Sequence, residues 1–330
     1  MAVGNIFNIP VKTTVSKTLQ GTVLAVAGNA KAGKSTLCAH TKRPIFLQSE
    51  VGTQNLTGFV PVDIRSWADF KQAVSQLSSK QGRETFDTVV IDSGTALATM
   101  LDTYCAPRVP RKKDDPELTF ASEAAFGAGT KIIKNEWDAQ MNKLSGLGYL
   151  VVLIIHTKED TDFDTKQTKI TCQLAPALWT LIERSTDQIV YCSKKINPKT
   201  KEYEYLTWFN SRGGFASTDG RSKPKVDYVE SKWELVEQAL LDGIEEVAGD
   251  AEVVVSESAK AIVAEEGKTF AELQAEFKEV SGAFVAKGQP EIVTEVIASV
   301  LGPDRKVSQL NPTQTEQLDE IVTLLKEKLN

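Results

Sequence analysis

Gly28-Asn29-Ala30-Lys31-Ala32-Gly33-Lys34-Ser35 places two glycines, a lysine and a hydroxyl at the spacing G-x-x-x-x-G-K-[ST]. These residue types at this spacing suit a phosphate group. The glycines let the backbone turn its N–H groups inward around the anion. Lys34 supplies a point charge, and the Ser35 hydroxyl is placed to ligate Mg²⁺. The flanking residues fit. Thr22 to Ala27 is an apolar run with strand character, and Ser35 to Ala39 can open a helix. A buried strand, a glycine loop and a helix are the setting such a loop requires.

Three further polar residues stand at strand ends. Phe86 to Asp92 is an apolar strand closing on an aspartate, which would put the Asp92 carboxylate beside the loop at the carboxyl edge of a sheet. It could hold Mg²⁺ there, or cap the helix that follows. Glu50 follows the strand Pro44 to Gln48 and would emerge at the same edge, placed to orient or deprotonate a water. His156 ends Tyr149 to Ile155, a strongly apolar strand, where an imidazole can donate a hydrogen bond to a phosphate in either protonation state. His40, late in the first helix, reads as structural.

The elements that must position these groups alternate. Helical spacing runs over Trp67 to Leu77, Leu97 to Tyr104, Thr130 to Leu144, Pro176 to Glu183 and Trp233 to Val247. Gln188 to Cys192 and Glu202 to Phe209 read as late, antiparallel strands. Near-continuously apolar strands alternating with helices predict an α/β fold with a mostly parallel sheet covered on both faces. Residues 105–122 and 157–170 are expected as polar loops, and 210–225 as exposed. Phe270 to Phe284, Glu291 to Leu301 and Thr315 to Leu329 are amphipathic helices, with Gly288-Gln-Pro290 and Gly302-Pro303 between them. The expected organisation is a core over 1–247, a linker over 248–258 and an all-α module over 259–330.

Composition narrows the classes. No apolar run approaches the roughly 20 residues needed to span a bilayer, and the first residues lack the basic start and apolar core of a signal peptide. Four widely spaced cysteines without a C-x-x-C pair read as reduced thiols. The expected location is cytoplasmic, the host cytoplasm if the chain is phage-encoded. The net charge of −6 is divided unevenly: residues 1–235 hold 30 Lys/Arg against 25 Asp/Glu, and 236–330 hold 8 against 19. An acidic tail on a basic core can compete with nucleic acid for that core. The apolar faces of the tail helices (Phe270, Leu273, Phe277, Val280) suit a protein partner equally well.

Taken in order, these features resemble a phage-encoded family of AAA/RecA-like P-loop proteins that act in single-strand annealing and recombination. The resemblance covers roughly residues 20–225. It rests on Gly28 to Ser35, Phe46-Leu-Gln-Ser-Glu50 with Gly52, Ile64-Arg65-Ser66-Trp67 with Asp69-Phe70, and Val89-Val-Ile-Asp92-Ser93. Trp137, Ile154-Ile155-His156-Thr157-Lys158, Asp187 with Ile189-Val190-Tyr191, and Ser211-Arg212-Gly213-Gly214 complete it. The resemblance implies ATP held by Gly28, Asn29, Ala30, Lys31, Ala32, Gly33, Lys34, Ser35 and Thr36, with Mg²⁺ on Ser35 and Asp92. It implies catalytic roles for Lys34, Glu50, Asp92 and His156, and for Arg212 as a basic residue reaching a neighbour's ATP in a homo-oligomer. It also implies single-stranded DNA bound by loops 105–122 and 157–178. There the basic residues are Arg108, Arg111, Lys112, Lys113, Lys158, Lys166 and Lys169.

Two other classes stay open: a nucleotide-switched scaffolding protein, and a loader- or partition-type ATPase acting on proteins. A partition ATPase would carry a second lysine where this chain has Asn29.

Overall fold

The computed structural model describes residues 14–50, 59–110, 117–124, 127–161, 168–210, 222–249, 252–254, 270–302, 305–310 and 314–329. In chain order the elements are β1 (Thr14–Ser16), β2 (Val23–Gly28), α1 (Lys34–Ala39), β3 (Pro44–Gln48), β4 (Val60–Asp63), α2 (Trp67–Ser78), α3 (Lys80–Thr85), β5 (Thr88–Asp92), α4 (Gly94–Cys105) and α5 (Ala128–Gly146). There follow β6 (Leu150–Thr161), β7 (Thr168–Cys172), α6 (Pro176–Ser185), β8 (Gln188–Ile196), β9 (Tyr203–Trp208), β10 (Tyr228–Glu230), α7 (Trp233–Ala248), β11 (Glu252–Val254), α8 (Phe270–Ala286), α9 (Pro290–Leu301) and α10 (Thr315–Leu329).

The main sheet runs β10-β9-β8-β2-β6-β5-β3-β4. From β8 to β4 every pairing is parallel, and β9 and β10 extend it antiparallel. The central strands are buried along their whole length, so they read as unbroken apolar runs. Their core includes Leu24, Val26, Phe46, Val90, Val152, Ile154 and Val190, with Trp233, Val236 and Leu240 of α7 packed in. The α/β class with a mostly parallel sheet therefore holds.

Register does the positioning. Gln48 pairs with Asp92, Asp92 with Ile154, and Gly28 with both His156 and Cys192. Parallel pairing brings the ends of β2, β3 and β5 to one sheet edge, level with His156 of β6 and Cys192 of β8.

Two expectations change, and a third gains detail. The segment 157–170 is not simply a loop: β6 continues to Thr161 and returns through β7 as an antiparallel hairpin, with Thr157 opposite Cys172. Its polar composition hid the strand, because a hairpin arm outside the core needs no apolar run. The described residues of 105–122 include two 3₁₀ turns, Ala106–Arg108 and Ala121–Glu123, and 111–116 lie outside the described residues. In the segment expected to be exposed, Ser222 is buried. Its Oγ donates to Leu240 O at 2.6 Å, and its carbonyl accepts from Gln188 Nε2 at 2.8 Å.

The chain forms two compact units, residues 1–70 with 81–263, and residues 71–80 with 264–330. The stretch 248–258 carries β11, paired in parallel with β1. In the second unit, Leu273, Val280 and Phe284 of α8 pack with Val296, Leu318, Ile321 and Leu325. Phe270 and Phe277 are partly buried against the same cluster, so the apolar face of α8 is occupied by its own bundle.

Candidate nucleotide-binding site

The loop between β2 and α1 is shaped by its glycines. A Cβ on Gly28 would lie 2.4 Å from Cys192 O on the neighbouring strand, and Gly33 sits at φ 86°. Only glycine meets the first demand, and the second strains any other residue. Gly28→Ala should therefore push β2 and β8 apart and destabilise the protein by about 1–3 kcal/mol or more. A chemical-denaturation midpoint equal to that of the wild type would show that the contact relaxes freely.

Lys34 is buried, at 5% exposure. Its Nζ donates to Gly28 O and Asn29 O, each at 2.8 Å. Burial lowers its pKa, opposed by nearby Cys192, Asp92, Cys38 and Glu50. A buried ammonium whose hydrogen bonds go to neutral carbonyls is electrostatically suited to an anion.

The Ser35 hydroxyl donates to Asp92 Oδ2 at 2.7 Å. Burial raises the Asp92 pKa, while the Ser35 hydrogen bond and His156 pull it down. Asp92 does not cap the following helix. Ser93 does, accepting from Ala96 N at 3.2 Å, which leaves the Asp92 carboxylate for the loop.

Glu50 stands on the far side. It accepts from Ser93 Oγ, and its Oε2 lies 3.3 Å from His156 Nε2. That contact lacks hydrogen-bond alignment, and the buried Nε2 has no hydrogen-bond partner among the described residues. His156 N donates to Thr95 Oγ1 at 3.0 Å, which fixes the strand end against α4. Ser49 Oγ accepts from Ser93 N at 2.9 Å and ties β3 to β5. Lys34, Ser35, Glu50, Asp92 and His156 are thus brought to one edge.

These residues fit a nucleotide triphosphate with Mg²⁺. Loop N–H groups and Lys34 would hold phosphate oxygens, and Ser35 with Asp92 would hold the cation. No cluster of three or more His, Cys, Asp or Glu placed to hold a metal exists among the described residues, so the remaining ligands would be phosphate and water. When bound, the cation neutralises charge developing on the phosphates. On the protein's side, the exposed Glu50 carboxylate, already accepting from Ser93 Oγ, can accept again from a water, and His156 Nε2 lies against it at 3.3 Å.

Sequence reasoning missed the link from the loop to the hairpin. Thr157 Oγ1 donates to Asn29 Oδ1 at 3.0 Å. Gln173 N donates to His156 O at 2.9 Å, and Gln173 Nε2 to Thr157 O at 3.1 Å. Asn29 and Thr157 both lie within the quoted motifs, but nothing in their spacing announces the bond.

Arg111, Lys112, Lys113, Lys166 and Arg212 lie outside the described residues. Arg108 is exposed and stacks 3.6 Å over the Tyr104 ring. Lys158 and Lys169 are exposed on the hairpin. His40 Nδ1 donates to Thr36 O at 2.8 Å, in keeping with a structural role.

The family model AAA_24, described as an AAA domain, matches residues 20–219. The chain belongs to this AAA-domain family. The SPbeta prophage-derived uncharacterized protein YorG of Bacillus subtilis (strain 168) is 27% identical over 338 residues, covering 98% of each chain. The chain is a P-loop protein of AAA type with a phage relative. Similar solved structures include the flagellar accessory protein FlaH from Methanocaldococcus jannaschii, at 10% identity and TM-score 0.33, covering 64% of this chain and 89% of that one. The RadB recombinase is 16% identical at TM-score 0.33, covering 58% and 82%. No described helix of this family member is long and apolar enough to cross a membrane.

Proposed function

We propose that this AAA-domain protein binds and hydrolyses ATP with Mg²⁺ and acts on single-stranded DNA in phage recombination, annealing or replication, as a homo-oligomer. The observation that carries the reading is the connection between the phosphate loop and the hairpin. Asn29 is bonded to Thr157, and the next residue along that strand is Lys158. The pleat puts Lys158 and Lys169 on the same face of the β6–β7 hairpin, Lys158 opposite Thr171 and two rungs from Lys169. A change at the phosphates would move the hairpin through Asn29 and through Gln173, which supports a nucleotide-dependent grip on a strand as part of the reading. The prophage origin of the relative supports the phage setting.

Hydrolysis measured with and without single-stranded DNA tests the reading, with stimulation expected. The double variant Lys158→Glu, Lys169→Glu should weaken DNA binding and lower the slope of log affinity against log salt by about 2, one per lost phosphate contact. A hydrolysis rate and a salt slope indifferent to DNA and to these charges would favour the scaffolding or loader alternatives.

A further inference from the structure

A cleft of about 960 Å³ opens beside the phosphate loop, bounded by Lys31, Gly33 and Thr36 on one side and by Tyr203 and Tyr205 of β9 on the other. Tyr205 reaches the loop itself: a Cβ at Gly33 would meet its Cδ1 at 3.1 Å. Tyr205 is nevertheless 38% exposed, and Tyr203 57%. Lys194 Nζ lies 4.9 Å over the Tyr203 ring and covers one face of it, and Tyr228, also in the cleft wall, packs on Trp208 with ring centroids 4.5 Å apart; Tyr205 is the aromatic residue that touches the loop.

Of the three lysines that line the cleft, Lys31 belongs to the phosphate loop and the other two are paired. Lys195 pairs with Glu204 at 3.3 Å, and Lys232 with Glu230 at 2.9 Å. A polyanion would find these cations already engaged. A neutral heterocycle with hydrogen-bonding edges meets an aromatic wall and polar partners, the chemistry of a nucleobase.

We infer that Tyr205 is the platform on which the base of the loop-bound nucleotide stacks. The inference rests on the phosphate-loop reading, since a phosphate cradled behind Gly33 fixes where the base must fall. It makes a residue distant in sequence, on an antiparallel strand, part of the nucleotide site, and it assigns the antiparallel extension of the sheet a part in nucleotide selection.

Titration calorimetry on the full chain with Mg²⁺ separates the parts, using ATP and inorganic tripolyphosphate as probes. Tyr205→Ala should weaken ATP binding by roughly 5- to 150-fold, the range of one base–aromatic stack, and leave tripolyphosphate affinity unchanged. Tyr205→Phe keeps the ring and should bind ATP as the wild type does. Tripolyphosphate binding also reports that the alanine variant is folded. Wild-type ATP affinity in Tyr205→Ala would overturn the inference, as would equal losses for both probes. Failure of the underlying reading looks different: Lys34→Ala would then bind ATP and tripolyphosphate as the wild type does, and the Tyr205 assignment would fall with it.

Discussion

Replacing Lys34 with alanine should remove ATP turnover and weaken nucleotide binding while the sheet stays folded. The ammonium is buried beside Asp92, and its hydrogen bonds go to the carbonyls of Gly28 and Asn29. Burial already disfavours its charged form. Such a group contributes little to folding, because its desolvation offsets what it gains from neutral acceptors. It contributes strongly where negative charge develops, and a lost preorganised donor costs about 10²–10³-fold in rate. Steady-state hydrolysis, calorimetric affinity and a thermal melt check the three parts. Hydrolysis at the wild-type rate would sink the phosphate-loop assignment outright.

Glu50→Gln should keep nucleotide affinity and lower kcat by about 10²–10⁴-fold, the span of general-base catalysis. The amide oxygen can still accept from Ser93 Oγ, so the strand end keeps its shape. What is lost is a carboxylate able to draw a proton from water, an interaction made in the transition state and not in the ground state. Asp92→Asn is the informative companion. It removes charge from the Ser35–Asp92 pair, so Mg²⁺ binding should fall with turnover. If Glu50→Gln turns over normally while Asp92→Asn is inactive, Glu50 is a bystander and the water is handled elsewhere.

The candidate site was legible where chemistry sits at the end of an apolar run. Gly28 to Ser35 and Asp92 follow or close buried strands, His156 ends the apolar part of β6, and the parallel register then aligned them. The helices from Trp67, Pro176 and Trp233 were legible from their spacing, because a 3.6-residue period is local information. The hairpin arm Thr157–Thr161 was not, since only part of it faces the core and its composition is that of a loop. The short strands β1, β4, β10 and β11 escaped for a related reason: three or four residues are too few to carry a period, and each exists only because a partner is present.

By itself, then, the sequence determined the class of fold, the phosphate loop and the set of strand-end residues that meet it. Hydrophobic period and glycine spacing encode these through neighbours along the chain. Only the tertiary structure decided that Ser93 caps α4 and releases Asp92, that Tyr205 walls the cleft at Gly33, and that Asn29 grips Thr157 across 128 residues. Those contacts depend on strand order, which places β2 between β6 and β8. A pattern read along one strand says how it is buried, while its neighbours are chosen by the packing of the whole sheet.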